Sequence, residues 1–151
     1  MSFLEELNKE TLNKKAIDMM NNMSEHKYFE NLPVYDQSMS NNADPFNKGF
    51  YQSVQDKINL INGELIIAYY SLKADLRTYI AVRKHQIILD KTLKEEKIPG
   101  NEILESLIIA EVPDLNVATI ILEGWVSRAD SSLKTARNHT YEGKEVTKDR
   151  D

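Results

Sequence analysis

At 151 residues, 41% of them hydrophobic and 28% charged, the chain has the size and balance of a globular domain able to bury its own core. The absence of Cys excludes disulfides, thiolate nucleophiles and Cys-based zinc sites. A formal net charge of −5 argues against wholesale nucleic-acid binding, while only 5 Gly and 4 Pro leave room for long uninterrupted helices.

Residues 1–30 read as an N-terminal amphipathic helix. Ser2 followed by Glu5 matches a capping box, and Leu4, Leu7, Ala16, Met19, Met20 and Met23 can share one apolar side. Over 31–49 the pattern collapses into two prolines, a glycine and many Asn and Ser residues, which predicts a loop or arm. Val34, Tyr35 and Phe46 would give that arm something to pack with.

The dominant feature is the helical body expected over 50–142. From Phe50 to Lys97 only Gly63 weakens a helix, at about 1 kcal/mol relative to Ala. Val54, Ile58, Ile61, Leu65, Ala68 and Leu72 alternate steps of four and three, the a/d spacing of a coiled coil. The steps to Leu76 and then Tyr79 or Ile80 leave strict heptad phase. Ile98-Pro99-Gly100-Asn101 predicts a stop, with Asn101 capping a short acidic helix that ends at Pro113. Asp114 then caps a last helix, whose seam runs through Ala118, Leu122, Trp125, Ala129, Leu133, Ala136 and Thr140. Trp125 is expected to be buried core there. Residues 143–151 read as a flexible tail.

These elements predict an all-α chain built as a long antiparallel, coiled-coil-like helical hairpin, with short N-terminal and connecting helices. Ile58, Leu65, Leu72, Leu122, Trp125 and Leu133 mark its seam. Further apolar residues (Ile66, Ile67, Tyr70, Ile80, Ile87, Ile88, Ile120, Ile121) exceed what one two-helix seam covers, which predicts a homo-oligomer. No apolar run approaches the roughly 18 residues of a membrane span. The charged N-terminus does not read as a signal peptide, so a cytoplasmic setting without membrane partners is expected.

Catalytic signatures are absent from the sequence. His26, His85 and His139 stand apart, and no Glu-x-x-His, Gly-rich phosphate loop or Gly-x-Ser-x-Gly occurs. The expectation is a non-enzymatic protein with no cofactor and no metal, working through a protein partner. Charge is striped along the chain. Residues 71–97 carry seven Lys and Arg against four acids (+3), 98–127 five acids and no base (−5), and 128–150 six bases against four acids (+2). The plain reading is solvated helix faces. The functional one is a pair of cationic columns for single-stranded nucleic acid: Tyr70, Arg77, Lys84 and Lys91 at multiples of seven, and Lys134, Arg137, Tyr141, Lys144 and Lys148 at three and four. Cations on one face would track phosphates and the ring would stack a base.

The stretch LEGWVSRADSSLKTARNHTYEGKEV, with ILESLIIAEVPDLNVATII before it, resembles the C-terminal part of the UvsY-type recombination mediators of T-even-like phages. The resemblance covers about 45 residues and is carried by Arg137, Asn138, Thr140, Tyr141 and Lys144. It implies a ring-shaped oligomer that binds single-stranded DNA and helps load recombinase, with Lys134, Arg137, Tyr141 and Lys144 on the DNA. The chain departs from that family in residues 1–49 and in its net acidity. The competing expectation is a phage or bacterial helical assembly, adaptor or inhibitor protein acting only through protein contacts, with the 32–50 arm as its docking element.

Overall fold

The computed structural model of the chain describes residues 7–42, 44 and 47–150, with backbone alone for 141–150. These residues form five helices and no strand: α1 Lys9–Glu25, α2 Tyr28–Asn41, α3 Lys48–Leu93, α4 Asn101–Ile109 and α5 Pro113–Arg150. The all-helical expectation holds among them. The expected capping box of Ser2 and Glu5, and Phe46 in the arm, lie outside the described residues.

Helix α3 is 46 residues long, about 70 Å at 1.5 Å per residue, and passes Gly63 unbroken. Asn47 Oδ1 accepts the Phe50 N–H at 3.1 Å, a side-chain cap on its first turn. Its last turn closes on Glu95, a left-handed residue (φ 56°), with the Glu96 N–H donating to the Lys91 carbonyl at 2.9 Å. That is a Schellman closure built on Glu rather than Gly. The helix therefore stops ahead of the Pro99-Gly100 pair.

Three expectations about helix ends need correction. Residues 1–30 do not form one helix, because Lys27 in the left-handed region (φ 59°) separates α1 from α2. Asn101 does not cap α4; Gly100 occupies that position, and the Asn101 amide oxygen instead accepts the Lys84 ammonium at 2.7 Å. Asp114 lies within the first turn of α5, which begins on Pro113, where a missing N–H costs nothing. The cap comes from α1: Asn13 Oδ1 accepts the Leu115 N–H at 3.1 Å.

The larger correction concerns 31–49, read as a loop. Most of it is α2, with Pro33 inside the helix. Proline there removes one backbone bond and costs on the order of 3 kcal/mol. Burial of Leu32 (0% exposed) and Met39 (8%) offsets this, at about 1.5–3 kcal/mol for each side chain. At the other end, α5 runs as helix to Arg150, through the segment read as a flexible tail.

The chain divides into two compact units, one of residues 1–21 with 69–121, the other of 22–68 with 122–151. Leu12, Ala16, Leu72, Leu104, Ile108 and Leu115 are core residues of the first. In the second, Leu32, Ile58, Leu65, Leu122, Leu133 and Ala136 are fully or nearly fully buried. Every residue of the 54–72 seam is buried, and so is every residue of the last-helix seam except Trp125. Trp125 is half-buried, a correction to the sequence reading. Its ring lies against Phe29 (centroids 5.0 Å apart) with the Arg128 guanidinium 5.3 Å from its centre, so one side meets a cation rather than core.

Candidate interaction surface

In the first unit a polar cluster ties α3 to the end of α4. The Tyr79 hydroxyl donates to Glu111 Oε1 at 2.6 Å, and Arg83 Nε donates to the same oxygen at 2.9 Å and to Oε2 at 3.3 Å. Burial, reinforced by the hydrogen bond and charge of Glu111, pushes the Tyr79 phenol up to about 12. Glu111 is held below the usual carboxylate range: burial works against this, but the hydrogen bonds from Tyr79 and Arg83 and the Arg83 charge prevail. Nearby, Lys84 donates to Glu105 at 2.8 Å and lowers that carboxyl too. Lys15 joins α1 to α3 by donating to Asp75 at 2.7 Å and to Ser71 at 3.2 Å. These groups are spent on holding helices together.

The second unit has an equivalent clamp on α2. Asp36 accepts a short hydrogen bond from the Ser132 hydroxyl and a 3.3 Å bond from Arg128 Nε. A recess of about 350 Å³ opens beside it, lined by Asp36, Met39, Ser40, Thr135 and His139. The His139 ring stacks on Tyr51, centroids 4.3 Å apart. Ser132 gives its proton to the Asp36 carboxylate, which leaves both groups engaged in the helix-to-helix clamp. Among the described residues, no group of three or more His, Asp or Glu side chains could hold a metal ion.

The cationic columns are only partly available. On α3, Arg77 is exposed and has no ion pair among the described residues, whereas Lys84 is bound to Glu105 and Lys91 to Glu96 at 3.4 Å. On α5, Lys134 lies 3.0 Å from Asp130, an exposed pair worth a few tenths of a kcal/mol, and Arg137 is exposed. The side chains of Tyr141 and Lys144 lie outside the described residues. Of the seam residues, Ile58, Leu65, Leu72, Leu122 and Leu133 are all buried.

The most pronounced surface feature is one that the sequence pattern does not single out. Apart from Val34, Leu60 and Ile67, every large apolar side chain left exposed among the described residues belongs to the first unit. Ile17 (45% exposed), Val117 (52%) and Ile121 (40%) border an open groove of about 290 Å³ between α1 and α5, floored by Ala16 and Ala118. On α4, Ile103 (61%) and Leu107 (56%) face outward together. The excess of isoleucines is visible in the sequence; the groove is not, because it needs α1 and α5 side by side. No helix is long and apolar enough to cross a membrane among the described residues. In comparisons with known proteins, no family model, curated protein or solved structure matches the chain.

Proposed function

We propose that this is a non-enzymatic helical binding protein that works by assembling with copies of itself and with a protein partner. The observation that carries the reading is the exposed apolar surface of the first unit, centred on Ile17, Val117 and Ile121. Covering such side chains gains roughly 25 cal/mol per Å², and contiguous patches of this kind mark contact surfaces. The polar clusters support it, since Glu111, Asp36 and Asp75 are engaged in tethers between helices. The buried seams on α3 and α5 fit an antiparallel pairing of those two helices within a cytoplasmic assembly. The test is the mass of the full chain in solution across a concentration series. Association that grows with concentration is expected, and a monomer throughout would overturn the reading.

A second reading is favoured by one observation: Lys134 and Arg137 stand exposed on one face of α5, a helix that continues past Tyr141 and Lys144. Together with the resemblance to recombination mediators, this supports contact with single-stranded DNA. Titration of a labelled single strand at rising salt tests it.

A further inference from the structure

We infer that the groove between α1 and α5 receives the Tyr70–Ala81 face of α3 from a second copy of this chain. The inference rests on the self-assembly reading and specifies its contact. The groove has a low floor, Ala16 at 0% and Ala118 at 4% exposure, between walls of Ile17, Met20, Val117 and Ile121. A floor of alanines lets a second helix approach closely, and an open apolar trough of this shape takes an amphipathic helix.

Charge selects the occupant. Asp114 lines the groove and Asp18 follows Ile17 on α1; both are exposed, and neither has an ion pair among the described residues. On α1, Lys15 is tied to Asp75, and Lys14 stands exposed one turn before Ile17. Residues 98–127 contribute no Lys or Arg at all. The fitting helix is therefore apolar, small-faced and cationic. In the same unit α3 presents such a face. Tyr70 (59% exposed), Ala74, Arg77 and Ala81 are all exposed and step by four, three and four. Ala74 and Ala81 leave hollows for the groove's branched walls, and Tyr70 supplies an aromatic anchor. Arg83, Lys84, Lys91 and Lys94 are each paired within the unit, but Arg77 has no ion pair among the described residues. Arg77 meeting Asp114 and Asp18 would pair charges that have no ion pair among the described residues.

The two surfaces differ, so the contact is head-to-tail. It adds copies until a ring closes or a chain extends, and does not stop at a two-fold dimer. Sedimentation velocity of the full chain tests this, with unfolding curves confirming that each variant is folded. The wild type should associate beyond a dimer, more weakly as salt rises. Arg77→Glu and Asp18→Lys should each weaken association at least about tenfold. Mixing the two variants should restore it, because each supplies the charge that the other now needs. Asp114→Lys serves as a second groove variant. A wild type that is monomeric at every concentration overturns both this contact and the assembly reading. Association unaffected by Arg77→Glu and Asp18→Lys, or a two-fold dimer, overturns the contact alone.

Discussion

The Asn13 side-chain oxygen caps α5 by accepting the Leu115 N–H at 3.1 Å, across a sequence separation of 102 residues. Helix starts carry unpaired N–H groups, usually satisfied by a residue immediately before the helix. Here α5 opens on Pro113 after Val112, which has no side-chain acceptor, so α1 supplies one. The bond ties the first turn of α5 to α1.

Asn13→Ala should therefore cost about 1 kcal/mol, the usual value of a cap, and Asn13→Asp should retain most of it. Urea unfolding of the three proteins at neutral pH measures this. If Asn13→Ala is neutral, the cap contributes nothing to stability.

The Tyr79–Glu111–Arg83 cluster should make the stability of the first unit depend on pH at both the acid and the alkaline end. Glu111 is held below its ordinary 4.5, so its contribution is present above that value and is lost as the pH falls through the lower folded value. Tyr79 moves the other way, from 10.0 to about 12, and its contribution is lost as the pH rises through that window. Glu111→Gln should blunt the acid loss. Tyr79→Phe should remove the alkaline loss and cost about 1 kcal/mol at neutral pH. Stability measured against pH for each variant decides, and a Tyr79→Phe curve parallel to wild type above pH 10 would contradict the assignment.

Helix α2 depends on Asp36. Asp36→Ala leaves the largely buried Ser132 hydroxyl without its acceptor and frees Arg128, at an expected cost of about 1–3 kcal/mol. Because Pro33 already weakens α2, the loss should be local. Amide exchange across 28–41 should rise more than exchange in α4. Uniform change along the chain would show that α2 does not open separately.

The contrast between α2 and α3 shows what was legible in the sequence. The α3 seam could be read because its three/four spacing is imposed by the core on a single helix, and each of its residues proved buried. Helix α2 could not, because local chemistry around Pro33 opposes helix and the stabilising partner, Ser132, is 96 residues away. The Asn13 cap and the α1–α5 groove escaped for the same reason: each joins segments that the sequence separates widely. Cations could be counted but not allocated. Lys84 and Arg77 look alike in a heptad column, yet one is held by Glu105 and the other is unpaired among the described residues.

Trp125 packs on Phe29 and is half-buried. Trp125→Ala should cost about 2–3 kcal/mol, below the roughly 3–5 of a fully buried ring. Its emission should fall between buried and free tryptophan, and Phe29→Ala should shift it to the red by admitting water. A wild-type spectrum already like free tryptophan would contradict the packing.

The last prediction ranks the cations on single-stranded DNA. If phosphates are bound, the contribution of each cation depends on whether a carboxylate already holds it. Arg137 is exposed, Lys134 is shared with Asp130, and Lys84 is bound by both Glu105 and Asn101. Arg137→Ala should therefore weaken binding more than Lys134→Ala, and Lys84→Ala least. Every single-strand phosphate left without its cation lowers the salt slope by about 0.7, so removing Lys134 and Arg137 together should flatten it by up to about 1.4. Tyr141→Ala should cost about 1–3 kcal/mol if the ring stacks on a base. Oligomer mass should be unchanged in all five variants, because the proposed contact between copies uses Arg77 and not these residues. No binding at low salt would end the nucleic-acid reading. Equal losses for Lys84→Ala and Arg137→Ala would show that ion pairing within the chain does not govern which cations reach the strand.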